Sequence, residues 1–224
     1  MDYTAVLISL KTASAAIVIT FFLGILAAYW IERLKGEKIK MIADGILTLP
    51  LVLPPTVAGF FLLYIFGINR PVGRFFLEYF GIKIAFSWEA TVIAAVVISF
   101  PMMYRSARGA FRQVDPALLY AGRTLGMSEH KIFWRVLFPN ALPGVVSGGI
   151  LAFARGLGEF GATAMLAGNI AGRTRTLPLA VYSAVASGDM GGAGQYVIVL
   201  VIISFIVVTG MNVVTAFMLR FDRR

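Results

Sequence analysis

The chain has 224 residues, of which 59% are hydrophobic and only 14% charged, with a formal net charge of +9. Together with a mean hydropathy of +0.85, this excludes an ordinary soluble domain and points to a polytopic membrane protein. The absence of cysteine excludes disulfides and thiolate metal sites.

Five uncharged runs are long enough, or nearly so, to cross a bilayer: Thr12–Ile31 (20 residues), Gly45–Asn69 (25), Ala90–Tyr104 (15), Val136–Ala154 (19) and Met190–Leu219 (30). A hydrocarbon core of about 30 Å takes roughly 17–25 apolar residues as a helix. The third run is short, but Trp88 at one end and Arg105 and Arg108 at the other extend it by sitting at the interfaces. The reading is one transmembrane domain over 1–224 with spans at about 10–31, 43–66, 89–108, 140–166 and 193–219. The first run is read as a retained helix and not a signal peptide, because four basic residues follow it in Glu32–Lys40, the reverse of a secretory signal.

The second span contains LPLVLPPTVAG, with Pro50, Pro54 and Pro55. Each proline removes a backbone donor and frees a carbonyl one turn earlier, here those of Ile46, Pro50 and Leu51. Two readings stay open: a plain proline kink, or a broken helix that shapes a translocation path or hinge. Residues 67–88, with Pro71, Gly73 and Gly81, read as an external connection.

Between the third and fourth spans lies a charged insert, Asp115–Pro139. Asp115 suits an N-cap and Pro116 the first helical position, so a helix is predicted to about Leu125, with Gly126 supplying the left-handed stop. Ser128 suits the cap of a second helix that Pro139 ends or kinks. On the first helix Leu118, Ala121, Gly122 and Leu125 share a narrow face. The insert is either a docking element for a soluble partner or an amphipathic loop packed under its own spans.

The fourth span contains FARGLGEFGA, with Arg155 and Glu159 four residues apart. A charge at the centre of a span costs about 2.5–3.5 kcal/mol on insertion scales, so the two are expected to pair. One reading is an ion pair near the outer end of the span that fixes register; the other is a polar lining or gate of a path. Glu159 cancels most of the charge of Arg155, which argues against a permanent high-affinity anion site. Residues 167–193 read as a second external connection, with a short helix at Leu177–Ala186 lying back toward the membrane.

Basic residues orient the chain. Four in 32–40, six in 105–135 and three in the tail fall on one side; Lys11, Arg70, Arg74, Lys83, Arg173 and Arg175 fall on the other. The positive-inside rule then places the insert and the C-terminus in the cytoplasm and the N-terminus outside, as a multi-pass protein of the cytoplasmic membrane. No basic soluble face is left over for nucleic acid. There is no Gly-Lys-Ser/Thr phosphate loop, and the single histidine, His130, sits in the insert as a surface residue. The chain is therefore read as neither an ATPase nor any other enzyme, and as binding no cofactor or metal itself.

The insert is similar to the cytoplasmic loop of binding-protein-dependent ABC importer permeases, whose pattern is Glu-Ala-Ala, three residues, Gly, nine residues, Ile-x-Leu-Pro. Here Tyr120-Ala121-Gly122, Gly126 and Val136-Leu137-Phe138-Pro139 match that spacing throughout. Ala121, Gly126 and Pro139 are identical, while Tyr120 replaces the glutamate. LPLVLPPTVAG, FSW (Phe86–Trp88), SFPMM (Ser99–Met103), GRTLG (Gly122–Gly126), FARGLGEFGAT (Phe153–Thr163) and GRTRTLPLAVY (Gly172–Tyr182) resemble the molybdate branch of that family. Sulfate/thiosulfate permeases share the Phe-Ala-Arg and Gly-Glu-Phe-Gly part, and tungstate is hard to separate from molybdate.

The resemblance implies an all-α, MetI-like type I ABC importer permease fold: five transmembrane helices with a cytoplasmic coupling helix. It implies a homodimer that moves molybdate by alternating access, with a separate ABC ATPase dimer carrying ATP and Mg²⁺ and an extracytoplasmic molybdate-binding protein. Tyr120, Ala121, Gly122, Gly126 and Pro139 are then the ATPase-coupling residues. Pro50, Pro54, Pro55, Arg155 and Glu159 are path or gate candidates. An ATPase-independent secondary transporter or channel is the alternative of a different class.

Overall fold

The computed structural model describes residues 2–222. Among them every regular element is helical: α1 Tyr3–Arg33, α2 Glu37–Val52, α3 Pro55–Phe66, α4 Pro71–Phe80, α5 Trp88–Gln113, α6 Pro116–Thr124, α7 Glu129–Ile132, a π-helical turn Phe133–Leu137, α8 Phe138–Leu157, α9 Gly161–Leu166, α10 Leu177–Ala186 and α11 Met190–Asp222. Four continuous stretches are long and apolar enough to cross a membrane: Tyr3–Arg33, Trp88–Gln113, Glu129–Leu157 and Met190–Gly210. The bent pair α2/α3 makes a fifth. Arg223 and Arg224, two of the basic residues assigned to the tail, lie outside the described residues.

The centre of the molecule is α5, which packs along α1 on one side and α8 on the other. Without water to drive helices together, a bilayer protein relies on close backbone approach and interhelical hydrogen bonds. The α1 seam carries both. Ala13, Ala16, Gly24 and Ala28 are buried along it, Thr12 and Thr91 share a hydrogen bond of 2.8 Å, and Thr20 and Ser99 one of 3.2 Å. The Trp88 indole N–H donates to Thr12 Oγ1 at 3.1 Å. On the other side Gly148 packs against Ser106, and Gly156 lies beside Ala95 and Ser99.

Two of the expected spans are interrupted. The span expected at 43–66 is two helices bent by 110° at Leu53–Pro54, which is more than a kink. Leu53 and Pro54 each precede a proline and are held extended, with ψ of 140° and 134°, because the following ring clashes with the helical conformation. The span expected at 140–166 stops at Leu157 and resumes at Gly161. Gly156, Gly158 and Gly161 all lack helix propensity, and the Glu159 carboxylate reaches forward to accept the Ala162 N–H of α9. The halves beyond the breaks, α3 and α9, cross closely: a Cβ on Gly59 would meet Ala162 Cα at 2.7 Å, and one on Gly161 would meet Pro55 Cβ at 3.0 Å.

Other boundaries also shift. Pro139 does not end a helix, since the chain is helical without a break from Glu129 to Leu157. The Phe133–Leu137 turn adopts π geometry, and the Phe138 N–H bonds back to Phe133 O. That wider turn gives room to a proline ring that would clash with the carbonyl four residues back. Residues 67–88 are not only a connection: α4 forms there, with Gly73 set against the carbonyls of Phe66 and Gly67, and Gly81 ends it at φ +66°. α10 occupies the expected Leu177–Ala186, followed by Gly188 at φ +80°.

Gly59→Val forces two backbones apart at the α3–α9 crossing, and overpacking of this kind costs about 1–3 kcal/mol. The thermal unfolding midpoint of the purified protein is expected to fall. Gly45→Ala, whose added Cβ has nothing within 4 Å, leaves it unchanged or higher. Equal midpoints for the two variants contradict the close crossing.

Candidate functional site

The insert builds a small protruding unit. Asp115 Oδ1 accepts the Ala117 N–H at 2.8 Å and starts α6. Gly126 at φ +74° turns the chain back, its N–H bonding to Arg123 O and that of Met127 to Gly122 O. Ser128 then caps α7 through the Lys131 N–H. No atom lies within 4 Å of a Cβ on Gly126, so the requirement for glycine there is conformational and not steric.

The predicted face divides. Gly122 is buried against Ile132, while Leu118, Ala121 and Leu125 point outward, Leu125 at 80% exposure. Tyr120 is also exposed, with its ring near the Arg123 guanidinium. Of that face only Gly122 packs inward. An inward apolar face would be buried, yet a cavity of about 350 Å³ lined by Tyr29, Arg112, Leu119, Arg123 and Phe133 separates α6 from the span ends.

The unit is held at its stem. Phe133 is 7% exposed and packs edge-on to Tyr29 at 4.4 Å, and also contacts Phe111 and Phe138. Glu129 bridges two helices, accepting from Arg33 of α1 at 2.9 Å and from Arg123 of α6 at 2.7 Å. These partners are about half exposed, so solvent screens each bridge and each contributes little. The Glu129 carboxylate raises the Arg123 pKa above its ordinary value, so this cation persists at any working pH.

Sequence reasoning missed a second cluster above this stem. Glu32 accepts from Arg108 at 2.6 Å, Arg112 at 2.8 Å and Lys40 at 3.3 Å. Asp44 accepts from Arg108 and, at 2.8 Å, from the Tyr104 hydroxyl. Asp44 thus clamps α2 to α5, and Glu32 clamps α1 to both. The available signal was Arg108 and Arg112, four apart on one face of α5.

The path candidates come together at another depth. Arg155 Nη1 donates to Glu159 Oε2 at 3.0 Å, and Glu159 Oε1 accepts the Ala162 N–H at 2.8 Å. The carboxylate side chain is 2% exposed and the arginine 31%. The pair straddles the end of α8, and Gly156 beside it packs against Ala95 and Ser99 of α5. Pro55 joins it through Gly161, Pro54 is exposed at the break, and Pro50 lies inside α2, a turn before the break. The coupling and path residues do not meet; the 20-residue α8 separates them by about 30 Å.

Residues 20–224 match the family described as binding-protein-dependent transport system inner membrane component. A putative molybdenum transport system permease of Bacillus subtilis is 42% identical over 91% of this chain and 89% of its own length. The Escherichia coli K12 molybdenum transport system permease is 42% identical over 92% and 90%, and that of Mycobacterium bovis 44% over 93% and 78%. Among solved structures, an inward-facing MetNI methionine ABC transporter aligns with a TM-score of 0.74 over 96% of this chain and 94% of the other at 18% identity. A bacterial alginate ABC transporter aligns at 0.78 over 95% and 78% at 13% identity. At those identities the likeness is one of fold.

If Glu129 ties α6 to α1, Glu129→Ala loosens it. Amide hydrogen exchange across 116–124 is expected to speed up while that of α5 is unchanged. Identical exchange in α6 would show that the stem aromatics alone hold it.

Proposed function

Because the chain belongs to the binding-protein-dependent transport system inner-membrane components, the permease subunits of ABC importers, we propose that it carries molybdate across the cytoplasmic membrane as one half of a homodimeric permease. The observation that carries the substrate is identity of 42–44% over more than nine-tenths of the chain to three molybdenum permeases. The family works in the inner membrane with an ATPase and a substrate-binding protein, which gives the exposed face of α6 its partner.

In this reading the ATPase dimer, which carries ATP and Mg²⁺, receives Leu118, Tyr120, Ala121 and Leu125 of α6. Gly126 fixes the angle at which that face is presented. An extracytoplasmic molybdate-binding protein delivers the anion, and closure of the ATPase dimer moves both α6 elements and switches access from outside to inside. This chain supplies no chemistry of ATP hydrolysis. The N-terminus is external and the C-terminus cytoplasmic, as the distribution of basic residues favours.

The deciding measurement is ATP hydrolysis and uptake by the reconstituted complex with its binding protein, comparing molybdate, tungstate and sulfate at matched concentration. Stimulation by molybdate is expected. Stimulation by sulfate alone moves the substrate, and uptake without the ATPase removes the ABC reading. For orientation, a tag at the N-terminus is expected to be cleaved by external protease in right-side-out vesicles; full protection reverses the topology.

A further inference from the structure

We propose that Glu159 is a resident stand-in for the transported anion, and that Arg155 exchanges it for a tetrahedral oxyanion during the switch of access. The inference rests on the importer reading above and names the group that touches the substrate in transit.

Arg155 lies in the apolar helix α8, yet 31% of its side chain is exposed. A guanidinium in such a span does not face acyl chains; such groups face a bundle interior or a water-filled path. Its bond to Glu159 uses Nη1 alone. Among the described residues Nε and Nη2 have no hydrogen-bond partner, so the fork that grips oxyanions is half free. α3 and α9, which meet at the break, carry no charged residue, so neither offers Arg155 a counter-charge beside Glu159.

The carboxylate is placed as a small anion would be, between a guanidinium N–H and the backbone N–H of Ala162. It stands in the break between α8 and α9, with Gly158 before it and Gly161 after it. It swings aside by turning glycine-flanked backbone, without unwinding a helix. The electrostatics explain why a mask is needed. A bare guanidinium in a low-dielectric passage would hold a dianion too strongly to release it. With the carboxylate present, arrival and departure of the oxyanion exchange one anion for another, and the path stays weakly binding.

Equilibrium dialysis of labelled molybdate against the purified permease–ATPase complex, without binding protein, tests this. Little retention is expected for the wild type. Glu159→Gln, which keeps the shape and removes the charge, is expected to bind about tenfold tighter or more, as an added charge-assisted bond gives. Adding Arg155→Gln should abolish that gain. Wild-type-like retention in Glu159→Gln, or a gain that survives loss of Arg155, overturns the proposal. Should Glu159→Gln fail to assemble, Glu159→Asp shortens the mask and is expected to give intermediate retention; none overturns it equally. Uptake by the wild-type complex in proteoliposomes is read separately. No uptake of any oxyanion counts against the importer reading, whereas retention depends on the pair alone.

Discussion

A helix interrupted inside a bilayer leaves amides and carbonyls that only the protein can satisfy, because hydrocarbon offers no partner. Two spans of this chain are interrupted, and the arrangement of the rest follows from how those breaks are closed. The α2/α3 break is forced by two consecutive prolines, which also remove the two amides that would have been left unbonded. The α8/α9 break is made by glycines and closed by a carboxylate that takes the Ala162 N–H. The outer halves then seal each other, since Gly59 and Gly161 let α3 and α9 approach to backbone contact. Ala90, Ala94 and Ile98 of α5 supply the floor. A charged pair is tolerable at this depth because the same break that needs a cap also needs a counter-ion.

The end that carries α6 is organised by a different balance. Glu32 and Asp44 gather three cations and a tyrosine where α1, α2 and α5 emerge. Arg108 is 13% exposed there, so removing one partner would strand a half-buried charge. By contrast α6 is tied by two exposed bridges and an aromatic stem, with a cavity behind it. The span ends are clamped, while α6, the proposed contact for the ATPase, is held lightly. That contrast suits a part whose position is set by the ATPase.

Much of this was readable from residue order. Helix caps are local, so Asp115, Gly126, Ser128 and the α10 bounds followed from side-chain chemistry within a few residues. The number of spans followed from length and charge. Three things were not local. No pattern within the fourth run encodes that Glu159 stands beyond the end of α8 and caps Ala162. Pro139 was expected to end or kink a helix, and a π turn whose Phe133 is fixed by Tyr29 and Phe111 lets the helix continue through it. The Asp44–Arg108 clamp joins residues 64 apart, and a carboxylate near an interface gives no sign of its partner. The resemblance to importer permeases supplied the partner for α6 but not these internal contacts.

The two functional regions are joined by one mechanical element. From Glu129 to Leu157 the chain is a single helical rod of 29 residues, about 42 Å long, with the α6 stem at one end and the glycine break at the other. A stiff rod packed along α5 does not absorb a displacement within its length; it delivers it to its compliant ends. At the stem end compliance lies in the π turn, whose hydrogen bonding is already looser than α geometry. At the far end it lies in Gly158–Phe160, which carries Glu159. A push on α6 therefore arrives at the backbone that holds the carboxylate against Arg155. Had Glu159 been one more residue of α8, as its spacing from Arg155 suggested, the pair would ride the rod together and nothing would change between them. Because it stands beyond the helix end, relative motion of α8 and α9 alters the very contact that the proposed anion exchange requires.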